Sequence, residues 1–181
     1  SSSKILSFIG ISDMSHGLDL KDLSIKALLD LQADTLSELR QRGVIRTSNK
    51  PTGDLAEFLF CKAFNWCMSN NSQNGFDAKC TDGIRYQIKA RQIINKSRSE
   101  RQLSAIRRIE DANFDYIAAV LFNSDYSIHR AAIIPYQVIV DRNPYYSAHD
   151  NKHIFYLTDD VWDIDGVQDV TSRLIEALNI L

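Results

Sequence analysis

The sequence predicts a mixed α+β (α/β) fold with a mixed central β-sheet flanked by helices, and three features carry that expectation. Apolar residues recur at helical spacing near the N-terminus and again before the C-terminus. Two pairs of β-rich runs each flank a short polar turn, and no internal repeat or Gly/Pro/Ser linker divides the 181 residues. A single domain over residues 1–181 is expected, with a helical N-terminal segment (1–50), a core (51–140) and a C-terminal segment (141–181).

Leu20, Leu23, Ala27, Leu28, Leu31, Leu36 and Leu39 keep a helical period, and Arg42-Gly43 supplies a basic last turn followed by a C′ glycine. A helix is expected over residues 19–42. Thr47-Ser48-Asn49-Lys50-Pro51 forms a loop, and Thr52 is placed to cap a second helix running to about residue 67. The polar run 70–75 is a loop. Residues 76–80 and 84–90 then flank Thr81-Asp82-Gly83 as a β-hairpin. Residues 116–122 and 127–134 flank Asn123-Ser124-Asp125 as a second hairpin. Pro135 opens a short helix through residue 140, residues 153–157 suit a further strand, and residues 170–178 suit a closing helix.

Composition narrows the function classes. With 44% apolar and 24% charged residues, 7 Gly and 3 Pro, the chain can build a core and lacks the bias of disordered or collagen-like sequences. No window approaches the roughly 18 apolar residues of a membrane span, and no basic-then-apolar leader is visible. A soluble, cytoplasmic protein is expected. Cys61, Cys67 and Cys80 form no C-x-x-C pair and are odd in number, which argues against a disulfide framework or a zinc knuckle. His16, His129, His149 and His153 share no metal-binding spacing, and neither a nucleophile elbow nor a glycine-rich nucleotide fingerprint occurs. The acids Asp159, Asp160, Asp163, Asp165 and Asp169 miss the calcium-loop register and are expected as a solvated face.

Charge is distributed unevenly. Residues 85–108 hold eight basic side chains against Glu100 alone, a local +7 in a chain of net charge −2. Arg91, Lys96, Arg98 and Arg101 belong to this run, and Arg46 and Lys50 to a smaller basic group upstream. Such a face is expected to hold a polyanion by phosphate neutralisation. Gln73, Asn74, Asn95, Gln102 and Arg107 are residue types that read base edges, although in loops they more often form turns.

The chemistry centres on the first hairpin. Strand alternation puts Arg85, Gln87 and Lys89 on one face and Tyr86, Ile88 and Ala90 on the other, and Asp77 on the partner run can reach Gln87 and Lys89. A carboxylate, a second oxygen donor and an amine on one patch suit phosphodiester hydrolysis assisted by a hard divalent cation. Mg²⁺ fits such an oxygen-rich site, with Mn²⁺ as a substitute. Glu57 lies at the margin of the second helix's apolar stripe, where its carboxylate can reach over the sheet edge toward Asp77.

Together, Gly53-Asp54-Leu55-Ala56-Glu57 on a helix, Gly75-Phe76-Asp77, and Tyr86-Gln87-Ile88-Lys89 resemble the PD-(D/E)XK superfamily of metal-dependent nucleases, which includes many restriction endonucleases. The match spans residues 51–91, and the element order through residue 134 agrees with a restriction-endonuclease-like core. The resemblance implies that Asp77 is the metal-binding aspartate, Lys89 the catalytic lysine and Glu57 the helix-borne acid, with Gln87 where the family usually carries Glu or Asp. It implies a Mg²⁺-dependent DNA endonuclease of the restriction type. Two sites are needed to cut both strands, so a homodimer is expected. Because Gln87 adds no charge, the alternative is a catalytically silent nucleic-acid-binding module on the same scaffold.

Overall fold

The computed structural model describes residues 19–47, 50–69, 75–95, 97–106, 109–142, 144–148 and 152–181. They fall into two compact units that divide after Arg46. In the first, a single 3₁₀ turn (Leu20–Asp22) precedes helix α1 (Ile25–Gln41). The helix expected from residue 19 is interrupted because Ser24 takes an extended conformation and caps α1, its hydroxyl accepting the Ala27 amide at 3.1 Å. The pairs Lys26/Asp30 and Glu38/Arg42 staple its exposed surface. Gly43, at φ +71°, ends it as the sequence predicts.

The second unit, Thr47–Leu181, opens with helix α2 (Thr52–Phe64). Thr52 is its first helical residue rather than its cap. Asp54 in the first turn does the local tying instead, accepting both the amide (2.7 Å) and the hydroxyl (3.0 Å) of Thr47. Asn65 adopts the left-handed region at φ 56° and stops the helix three residues short of the expected end. Next come β1 (Cys67–Met68), β2 (Ala78–Lys79), β3 (Arg85–Gln92), β4 (Tyr116–Phe122) and β5 (Ile128–Pro135). Helix α3 (Tyr136–Asp141), the ribbon of β6 (Tyr145–Ser147) with β7 (Lys152–Ile154), β8 (Gln168–Asp169) and helix α4 (Thr171–Asn179) complete the unit.

The main sheet has the order β1-β2-β3-β4-β5-β8 and is antiparallel except for the parallel pair β3/β4, whose register runs from Tyr86↔Tyr116 to Gln92↔Phe122. Both expected hairpins are present, and Gly83 at φ +87° makes the first turn. The parallel pair requires a long crossover, residues 93–115, whose described residues include two single 3₁₀ turns.

Alternation along β3 and β4 sorts the core into two layers. Tyr86, Ile88, Ala118 and Val120 pack with Ala56, Leu59 and Phe60 of α2 and Leu174 of α4. On the opposite face Ile117, Ala119 and Leu121 pack with Leu103, Ile106 and Phe114 of the crossover, with Ile139 of α3, and with Phe155 and Leu157 after β7. Burial on both sides explains why β4 is a continuous apolar run rather than an alternating one. Trp66 lies flat on Tyr86, ring centroids 3.7 Å apart, and burial pushes the Tyr86 phenol up to about 12. The partly buried Trp162 packs against the second layer, and its indole donates to the Ala131 carbonyl at 3.1 Å.

The five aspartates expected to form a solvated face are all exposed, and three of them also pair with arginines. Asp159 holds Arg101 and Arg130, Asp160 holds Arg142, and Asp169 faces Arg130. A stronger tie joins the starts of β3 and β4. Arg85 donates through Nε (3.1 Å) and Nη2 (2.9 Å) to the Asp115 carboxylate, and its amide donates to Oδ2 at 2.8 Å. These bonds hold the Asp115 pKa below its ordinary value. A lowered folded-state pKa contributes stability above the unfolded carboxylate value of about 3.9, lost as pH falls through the lower folded value. Asp115→Asn is therefore expected to cost about 1 kcal/mol at neutral pH in urea unfolding, modest because both side chains are more than a third exposed. The gap from wild type should close in acid.

Candidate metal and nucleic-acid site

The first hairpin pairs Ala78 with Tyr86 and Lys79 with Arg85, and there the β2 ladder ends. Asp77 extends it by other means. Its amide donates to the Tyr86 carbonyl at 2.8 Å, and its Oδ2 accepts the Ile88 amide at 2.7 Å. Asp77 thus brackets Gln87, bonded to the backbone on either side of it. Its other carboxylate oxygen accepts no hydrogen bond among the described residues.

Gln87 is only 9% exposed. Its amide nitrogen donates to the Gly75 carbonyl at 3.2 Å, which fixes which end of the amide points away from that carbonyl. The oxygen end, Oε1, is buried and has no hydrogen-bond partner among the described residues. An orphaned buried acceptor costs about 1–3 kcal/mol, so it marks either a defect or a ligand position. Gly75 makes this geometry possible: at φ +77° it favours glycine, and a Cβ there would lie 2.6 Å from the Asn113 Cβ. Two residues along β3, the half-buried Lys89 donates its ammonium to the Ala105 carbonyl at 3.0 Å. Neither the Gly75 nor the Ala105 carbonyl was identifiable beforehand, because a backbone acceptor leaves no mark in residue identity.

Gln87 and Lys89 therefore share one stretch of β3, and Asp77, just before β2, is bonded to the backbone of that stretch. Glu57 approaches from elsewhere. Gln87 and Lys89 are in register with Ile117 and Ala119, whose side chains belong to the crossover layer, whereas the α2 residues flanking Glu57 pack on the Tyr86/Ile88 face. The helix carboxylate and the Gln87/Lys89 pair thus start from opposite faces of the sheet. The half-buried Glu57 side chain can join them only around the edge of β3 beyond Ile88, where β2 no longer pairs. Among the described residues no three His, Cys, Asp or Glu side chains are grouped so that they could hold a cation.

The basic residues separate by fate. Arg91 and Lys50 are exposed and, with Thr52, Gln92 and Glu100, line a cleft of about 420 Å³ at the end of β3. Arg98 is exposed, its guanidinium 5.7 Å from the centre of the Tyr156 ring. Arg101, expected on the nucleic-acid face, is instead 9% exposed and bonded to Asp159 at 2.7 Å, so it serves the fold. Arg85 is likewise committed to Asp115. Arg46 is exposed at the end of the first unit. Lys96 and Arg107 lie outside the described residues, as do Gln73 and Asn74. Asn95 is turned onto Glu100, its amide 2.7 Å from Oε2.

The chain matches no family model and no curated protein.

Gly75→Ala tests the positioning argument. It is expected to destabilise the protein by about 1–3 kcal/mol from the left-handed backbone alone, with the Asn113 clash added. Gly43→Ala, also at positive φ but with nothing within 4 Å, should cost measurably less. Urea unfolding of the two variants makes the comparison.

Proposed function

We propose that the protein is a Mg²⁺-dependent DNA endonuclease of the PD-(D/E)XK type, similar to a type II restriction endonuclease and acting as a homodimer so that two sites address the two strands. The observation that carries this reading is the buried Gln87 Oε1, without a partner among the described residues, in the strand segment whose backbone Asp77 brackets, with Lys89 two residues on. These residues fit a hard divalent cation: an acidic oxygen and a neutral amide oxygen, both without partners among the described residues, are the donors such an ion prefers.

Asp77, Gln87 and, around the strand edge, Glu57 would hold the ion. When bound, it would polarise a phosphate oxygen and lower the pKa of a coordinated water. The chain's own residues do the rest. The Asp77 carboxylate is fixed by the Ile88 amide and so needs little reorganisation on binding. Lys89 supplies the positive charge that offsets charge developing on the phosphate, and the Ala105 carbonyl limits its swing. Arg91, Lys50 and Arg98 offer exposed cations for the flanking backbone and set affinity more than sequence choice.

A supercoiled-plasmid assay tests the reading. Wild type should nick or linearise DNA with Mg²⁺ or Mn²⁺ and not with chelator, whereas Asp77→Ala and Lys89→Ala should lose cleavage by about a hundredfold or more. Wild type that never cuts, or variants that cut equally well, would reject it.

One feature favours a second reading, a silent binding module: Gln87 contributes no charge where a carboxylate would hold the ion more tightly. Gln87→Glu separates the two. In an active enzyme it should lower the Mg²⁺ needed for half-maximal cleavage by roughly tenfold. Salt-sensitive DNA binding that ignores Mg²⁺, without cleavage by wild type, would instead mark the module.

A further inference from the structure

A second concave feature lies on the same sheet face as Lys89. The crossover segment 97–106 runs antiparallel to residues 152–158. Ile106 and His153 exchange backbone bonds (3.0 and 2.8 Å), Leu103 donates to the Phe155 carbonyl (2.9 Å), and Leu157 donates to the Arg101 carbonyl (2.9 Å). Ala105, whose carbonyl holds Lys89, belongs to one end of this ladder. The other end opens into a pocket of about 220 Å³ lined by Arg98, Arg142, Phe155, Tyr156 and Thr158, among others.

The groups in this pocket are complementary to one another. Phe155 is buried and lines the pocket, while Tyr156 is half-buried and keeps part of its surface open. Arg98 stands 5.7 Å from the Tyr156 ring centre, near the outer limit of a cation–π contact, and makes no ion pair among the described residues. Arg142 is held in place by Asp160, Nη1 to Oδ2 at 2.8 Å. An aromatic face with one loosely held and one fixed guanidinium is the equipment for an unpaired nucleotide: the ring stacks on the aromatic, and phosphate takes the cations. A flat duplex surface would not reach the floor of such a concavity.

We infer that this pocket binds one unpaired nucleotide of a nucleic-acid strand, its base on Tyr156 and its phosphate on Arg98 and Arg142. The inference rests on the nucleic-acid reading of the neighbouring site but not on its hydrolytic chemistry. It adds recognition of a single-stranded or locally opened segment, beyond phosphate neutralisation.

Fluorescence anisotropy with labelled oligo(dT) and with a duplex of equal length, both in chelator with the full chain, tests it. Tyr156→Ala should weaken oligo(dT) binding by roughly tenfold, and Tyr156→Phe should keep it. Duplex affinity should change far less. Arg98→Ala, an exposed change that spares the fold, should weaken oligo(dT) and lower the salt slope by about one. The inference is overturned if wild type does not bind oligo(dT), if Tyr156→Ala binds it as wild type does, or if strand and duplex affinity fall together. Should Tyr156→Ala not fold, Arg98→Ala decides, and unchanged oligo(dT) affinity overturns it. Failure is distinguishable from failure of the endonuclease reading. Plasmid cleavage with Tyr156-independent binding rejects the pocket alone, and Tyr156-dependent binding without cleavage rejects the chemistry alone.

Discussion

The Asp77 carboxylate accepting the Ile88 amide is the interaction on which the arrangement depends. β2 is two residues long, and past it the edge of β3 would present an unpaired amide in a half-buried setting. Asp77 supplies a charged acceptor there, a stronger partner than another strand's carbonyl. The same bond holds an acidic group beside Gln87. Where the sheet stops pairing, a functional group becomes available, because the edge needs a side chain in place of a strand.

β3 then serves two purposes through simple alternation. Tyr86 and Ile88 are buried against α2 and Trp66, which anchors the strand. Arg85, Gln87 and Lys89 point the other way, and each finds a partner outside β2: Asp115, the Gly75 carbonyl and the Ala105 carbonyl. Arg85 fixes the strand's start, and the crossover layer fixes Lys89. Of these polar groups Gln87 Oε1 is left unsatisfied. A fold that keeps a buried acceptor without a partner forgoes stability that a bound cation can return, which is how binding sites are commonly prepared before the ligand arrives.

Much of this was legible in the sequence where period and turn chemistry agree. The hairpin around Gly83 followed from its turn residues, the Tyr116–Phe122 strand from its unbroken apolar run, and the common face of Gln87 and Lys89 from a period of two. What escaped depended on long-range partners. The parallel pairing of β3 with β4 crosses residues 93–115, which carry no strong helix or strand pattern. Arg101 looked like part of a basic surface because its counter-charge, Asp159, is 58 residues away. Thr52 had the right chemistry for a cap, but Pro51 occupies that position and Thr52 falls inside the helix. The opposite-face origin of Glu57 needed the packing of α2 on the sheet, which a helical wheel does not contain.

A divalent cation shared by Asp77 and Gln87 within reach of Lys89 is what the proposed chemistry requires. Anomalous diffraction from a crystal soaked in Mn²⁺ addresses that directly. The expected result is a peak contacted by an Asp77 carboxylate oxygen and by Gln87 Oε1, with Glu57 or water completing the oxygen shell. Well-ordered Asp77 and Gln87 with no peak between them, or a peak held by other residues, would contradict it.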